Sequence, residues 1–183
     1  MTPQQTTQTS KFLSLILRHK PETIGLQLND QGWADVSELL RKMAAHGHPL
    51  SSDELMEIVR ENAKQRFALN EDKTKIRASQ GHSIDVELGL IPQQPPEHLY
   101  HGTVGAVLPA IRKEGIRKMS RQHVHLSKDQ DTATVVGQRR GKPIILTVKS
   151  GDMHREGYQF FLSANGVWLT DAVPSQYIST DVA

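Results

Sequence analysis

Ten residues in the middle of the chain, GLIPQQPPEH at 89–98, constrain the fold more than any other stretch. Pro92, Pro95 and Pro96 each remove a backbone donor, and each biases the preceding residue toward an extended conformation. Such a segment reads as a linker between two halves of similar size. A chain of 183 residues suits one ordinary domain or two small ones. The seam favours two: an N-terminal lobe over 1–90 and a C-terminal lobe over 97–183.

Hydrophobic periodicity changes across the chain. Phe12, Leu13, Ile16 and Leu17 share one stripe at spacings of three and four, which predicts a helix capped by Thr9 or Ser10 and closed by Pro21. Asp35 with Glu38, followed by Val36, Leu39, Leu40 and Met43 and then Gly47, predicts a second helix. Ser51 with Glu54 forms a capping box for a third, which buries Leu55, Ile58 and Val59. RFAL (66–69) and KIRAS (75–79) are strand-like runs around the polar turn NEDKT, a β-hairpin pattern. Three helices and a hairpin have the layout of a winged helix, frequent in nucleic-acid-binding modules, although layout alone assigns no function.

In the second half the strand-like runs HLYHG, HVHLS, PIILTVKS and GVWLT are separated by the helical patterns VLPAIRKEG and DQDTATVVGQRRG. Ile144, Leu146 and Val148 alternate with Ile145, Thr147 and Lys149, as in a strand with one buried face. The expected class is α+β, with a small, mostly antiparallel sheet in the second lobe.

Zero cysteines exclude disulfides, thiolate metal sites and a cysteine nucleophile, and suit a reducing compartment. The start MTPQQTTQTS lacks the basic and apolar run of a secretory signal, and no segment approaches the roughly 20 apolar residues of a membrane span. A cytoplasmic protein with no membrane partner is expected, and a monomer. A formal net charge of +2 permits an anionic partner without demanding one, so the placement of charge decides.

The first helical run, FLSLILRHKPE at 12–22, ends in Arg18, His19 and Lys20. Cations at a helix C-terminus complement its partial negative charge, by about 0.3 to 1 kcal/mol each, and that alone explains their position. A second account needs more charge converging. Alternation in RFAL sets Arg66 opposite Phe67 and Leu69, and Arg77 and His82 extend the basic neighbourhood. Guanidinium groups match phosphate in a planar, bidentate way, and a histidine among them adds a proton donor or acceptor.

In YHGT, Gly102 follows His101 and precedes Thr103, a place where a ligand can approach the backbone, although structural histidines are commoner. His123 and His125 stand two apart in RQHVHLS, on one face of a strand. With no cysteine and no third ligand at a recognised spacing, no metal is expected there. His46 and His48 fall in a polar, exposed loop. The GxGxxG, GxxxxGK[ST], HExxH and GxSxG signatures are all missing, so NAD or ATP, if used, is not held in the usual doubly wound fold.

Taken in order, SKFLSLILRHKPE, GWADVSELL, QRFAL, IRASQGHS, LYHGT, VHLS, PIILTV and NGVWLT resemble the RNA 2′-phosphotransferase family, also called tRNA 2′-phosphotransferases, over about Ser10 to Tyr177. The resemblance implies an N-terminal winged-helix lobe that binds RNA phosphate and a C-terminal lobe of the ADP-ribosyltransferase fold. It implies removal of an internal 2′-phosphate from RNA, as in tRNA splicing, with NAD+ consumed as co-substrate. The 2′-phosphate attacks the nicotinamide ribose and expels nicotinamide, and the ribose 2″-hydroxyl then attacks phosphorus. The implied products are 2′-hydroxyl RNA, nicotinamide and ADP-ribose 1″,2″-cyclic phosphate.

The family's essential basic set maps onto Arg18, His19, Arg66 and Arg121, with Arg117 and Lys118 as neighbours of the last. By the same resemblance His101, Gly102, Thr103, Ser127, Asn165 and Gly166 hold NAD+, while Lys20, Arg77, Gln80, Gly81 and His82 line the substrate side or the cleft. NGVWLT contains no glutamate of the kind that activates acceptors in protein-modifying ADP-ribosyltransferases, and an anionic phosphate acceptor needs none. Two other readings are weighed: an ADP-ribosyltransferase acting on terminal phosphates of RNA or DNA, and a non-enzymatic winged-helix binding module.

Overall fold

The computed structural model describes residues 1–139 and 141–180. Its elements are mixed α and β with small antiparallel sheets, an α+β chain, and its contacts divide into two units, Met1–Gly89 and Leu90–Ala183.

The first unit opens with α1 (Pro3–Arg18), a 3-10 turn (Pro21–Ile24), β1 (Ala34–Asp35), α2 (Val36–Ala45) and α3 (Ser52–Glu61), then β2 (Phe67–Leu69) and β3 (Lys75–Ala78). The caps at Asp35 and Ser51 form as expected: each side chain accepts from the backbone N–H three residues on, and Glu54 completes the box at Ser51. The start of α1 differs. Thr2, not Thr9 or Ser10, is the N-cap, in a reciprocal box with Gln5 and with Pro3 in the first turn. Residues 3–9 contain no apolar stripe, so only the cap and proline marked this extension. Strand order is β1-β3-β2, all antiparallel, with Phe67 opposite Ala78 and Ala34 opposite Ile76. Leu13, Ile16, Leu17, Leu39, Leu55, Phe67 and Ile76 are fully or almost fully buried in one core.

The second unit contains β4 (Leu99–Val104), α4 (Leu108–Glu114), β5 (Ile116–Arg117), β6 (Val124–Leu126), α5 (Gln130–Gln138), β7 (Pro143–Val148) and α6 (Ser150–Arg155). β8 (Phe160–Leu162), β9 (Trp168–Thr170), β10 (Ala172–Val173) and β11 (Ile178–Thr180) complete it. Where one small sheet was expected, the strands form three: β11-β7-β4, β6-β9-β8 and β10-β5. A bridge between Tyr100 and Ser127 joins the first to the second, with both backbone N–H groups donating at 2.8 Å. Leu146 and Val148 are buried on β7 as their alternation predicts.

The proline segment is not a free linker along its length. Gln93 N–H donates to Phe160 O, Ser150 Oγ to Pro96 O and Gly151 N–H to Glu97 O. The carbonyls that proline leaves intact still accept, so the segment docks along the second unit without forming a continuous ladder. Among the described residues no helix is long and apolar enough to cross a membrane.

Candidate functional site

In the first unit α1 ends at Arg18, and His19 is its C-cap. Both are half-buried, whereas Lys20 is exposed. The segment Ser79–Ser83 returns to this helix end: Ser83 N–H donates to Arg18 O at 3.0 Å, and Ser83 Oγ lies 2.8 Å from His19 Nδ1. Gly81 has a φ of +88°, and a Cβ placed there would lie 3.5 Å from the Arg18 guanidinium carbon. The loop therefore covers the arginine with backbone.

Arg66 precedes β2, half-buried, and its carbonyl accepts from Ser79 N–H, so the hairpin register ties it to the same loop. Arg77 lies on β3, with its guanidinium carbon 4.4 Å from the Trp33 ring centroid and Nη1 donating to Gln31 O at 3.3 Å. His82 is buried, at 1% exposure, and among the described residues neither ring nitrogen has a hydrogen-bond partner. Gln80 Oε1 is likewise buried without one. Burial first, then the charges of Arg18, Arg77 and His19, push the His82 imidazole down to about 4. At neutral pH it is an uncharged donor and acceptor inside a cationic neighbourhood. The structure thus brings Arg18, His19, Gly81, His82 and Arg77 into one cluster.

In the second unit His101 lies on β4, and its Nδ1–H donates to His125 O at 3.2 Å. His125 Nδ1 accepts from Arg121 Nη1 at 3.2 Å, because a guanidinium only donates. These two bonds link Arg121 and His101 through His125. Ser127 sits at the end of β6, bonded on both backbone sides to Tyr100. Leu126 is opposite Trp168, so the β8–β9 turn with Asn165 and Gly166 lies at the same end of the sheet. That turn is held by Ser163, whose Oγ donates to Asn165 Oδ1 and accepts from Val167 N–H, and Gly166 has a φ of +82°.

The glycine in YHGT has a different neighbour from a ligand on its side-chain face. A Cβ on Gly102 would come within 1.8 Å of Ala133 O and 2.9 Å of Gly137 N, so α5 backbone fills that face. Thr103 beside it is buried at 2% exposure. The two histidines of RQHVHLS have separate partners. His123 lies outside β6 with its ring against Phe161, while His125 joins Arg121 and His101. Ser83 is not marked by the sequence, because it joins the site only through its contact with His19, 64 positions away. His125 stands out only as half of an HxH pair, and its partners Arg121 and His101 come from the fold.

Residues 4–172 match the family model described as RNA 2′-phosphotransferase, Tpt1 / KptA family. The chain belongs to that family. A probable RNA 2′-phosphotransferase of Flavobacterium johnsoniae is 63% identical over 169 residues, covering 92% of this chain and 93% of the relative. Proteins of the same description from Burkholderia pseudomallei and Streptomyces griseus are 57% and 52% identical, covering 94% and 97% of this chain and 94% and 98% of theirs. Membership of the RNA 2′-phosphotransferase family makes the chain an enzyme and a transferase.

Proposed function

We propose that this transferase removes an internal 2′-phosphate from RNA in an NAD+-dependent reaction, releasing nicotinamide and ADP-ribose 1″,2″-cyclic phosphate. Residues 1–90 act as a winged-helix lobe for the RNA phosphate, and 97–183 as an ADP-ribosyltransferase-like lobe for NAD+. The observation that carries this reading is Arg18 beside His19 at the end of α1, with the imidazole oriented by Ser83 and the guanidinium lying against Gly81.

Such an arrangement suits a phosphate. Arg18 and Arg66 hold the anion and spread the charge that builds at phosphorus, and His19 moves a proton near neutral pH. Arg121 is the fourth basic residue, fixed by His125. The donor set in the second unit fits a dinucleotide's polar groups: an imidazole held in one tautomer at His101, the Ser127 hydroxyl and the Asn165–Gly166 turn. Gly102 and Thr103 shape that site from within β4, because their side-chain positions face packed protein. NAD+ supplies a ribose carbon made electrophilic by the departure of nicotinamide. Cytoplasmic tRNA splicing is the setting this reading implies, with the protein acting as a monomer and without a metal.

The test is a short RNA bearing one internal 2′-phosphate, incubated with the protein with and without NAD+ and followed by mass spectrometry. Phosphate loss only with NAD+, together with the cyclic product, is expected. RNA that gains ADP-ribose and keeps it would replace this reading with the terminal-phosphate ADP-ribosyltransferase, and bound but unchanged RNA with a binding module. Arg18→Ala and His19→Ala should each accumulate ADP-ribosylated RNA. Wild-type turnover in either would remove that residue from the mechanism.

A further inference from the structure

Trp33 stands outside the hydrophobic core of its unit, half-buried, on a short loop between the 3-10 turn and β1. The loop is rigidly tied. Asn29 Oδ1 accepts from Gln31 N–H and Trp33 N–H, each at 3.0 Å, while Asn29 N–H donates to Trp33 O at 2.9 Å. The Arg77 guanidinium carbon lies over the indole, 4.4 Å from its centroid, with Nη1 donating to Gln31 O, and among the described residues no carboxylate pairs with it.

This stack borders the phosphate cluster. Gly32, the residue before Trp33, packs on His82: a Cβ there would meet His82 Nε2 at 3.4 Å. His82 in turn feels the charges of Arg18 and His19. A bare phosphate has no use for an indole, whereas a nucleotide chain offers a base within a few ångströms of every ribose. Bases stack on aromatic rings and on guanidinium planes with little sequence preference.

We infer that Trp33 and Arg77 form a stacking platform for a nucleobase of the RNA strand, next to the nucleotide whose 2′-phosphate enters the Arg18–His19 cluster. The inference rests on the phosphotransferase reading and adds what selects a polynucleotide over an isolated phosphate. Behind the platform, where Gly32 packs on His82, both His82 ring nitrogens are buried without a hydrogen-bond partner among the described residues, as is Gln80 Oε1.

The test uses the full chain, NAD+, and three short RNAs with one internal 2′-phosphate: all bases present, the base missing immediately 5′ of the phosphorylated nucleotide, or missing immediately 3′. Removing the stacked base should raise KM by about fivefold to a hundredfold, the equivalent of base–aromatic stacking, with kcat little changed. Trp33→Ala should show that higher KM on every RNA and lose the discrimination, and Trp33→Phe should keep it. Wild type that treats the three RNAs alike, or Trp33→Ala that still discriminates, overturns the platform. Release of phosphate from none of them refutes the phosphotransferase reading instead. The platform is then decided by Trp33 fluorescence in Trp168→Phe protein, which leaves one indole: quenching that requires the base supports it, and equal quenching by all three RNAs overturns it.

Discussion

His19 meets Ser83 across 64 positions of sequence, and the contact fixes the orientation of the imidazole whichever nitrogen carries the proton. If His19 moves a proton in the reaction, Ser83 is its positioning residue. One net hydrogen bond is worth about 1 kcal/mol, so Ser83→Ala should lower kcat by about fivefold to tenfold, with KM little changed. Ser83→Thr, which retains the hydroxyl, should restore most of it. Unchanged kcat for Ser83→Ala on 2′-phosphorylated RNA would show that the bond orients nothing the reaction uses. The same contact explains how much of the site could be read in advance. Arg18, His19, Arg77 and His82 stood out as basic residues at a helix end and beyond a hairpin, features local in sequence. Ser83 and Trp33 did not, since a serine or tryptophan acquires meaning only from what it touches. Gly102 shows the same limit: a glycine signals close approach without saying what approaches, and on its side-chain face it is the backbone of α5.

At the scale of elements, that close approach is the packing of α5 on β4. Gly137 lies on the helix side, where a Cβ would be 3.2 Å from Thr103 O, so two glycines let the helix backbone rest on the strand. Gly102→Ala should push α5 off β4 and destabilise the protein by about 3 kcal/mol, the upper range for forcing atoms into a packed interior. Gly105→Ala, where the nearest atom would be 3.6 Å away, is the control and should be close to neutral. Urea unfolding of both variants checks the contrast, and equal stability would mean that the helix yields freely. Elements with strong local signals were legible: the caps at Asp35 and Ser51, the hairpin around NEDKT, and the alternating strand at 143–148. β1, β5, β10 and β11 span two or three residues each, too short to show any period. They exist because a partner strand is present, as Val36 N–H bonding to Thr74 O and Ala34 pairing with Ile76 illustrate.

For the whole molecule, the decisive fact is that the two cores share no residue: one is built from positions 13–78 and the other from 99–177. Each unit buries its own apolar surface, so residues 1–89 expressed alone should unfold cooperatively in urea, within the size range of small independent domains. His82 gives that transition a pH signature. Its folded value of about 4 lies below the ordinary 6.5. Above pH 6.5 both folded and unfolded forms are neutral and the group adds no pH dependence. Between 6.5 and 4 the unfolded chain takes up a proton that the folded chain refuses, so stability is lost as pH falls. At pH 5 the loss relative to pH 7.5 amounts to about 2 kcal/mol. Glu54 and Asp72, which backbone and hydroxyl hydrogen bonds hold below their ordinary values of 4.5 and 3.8, contribute only at lower pH. The interval from 6.5 to 5 therefore isolates the histidine from these carboxylates, and His82→Gln should flatten the stability of 1–89 across it. A slope that survives in His82→Gln would place its origin in another group, and a non-cooperative transition in the wild-type fragment would show that the first core does not stand alone.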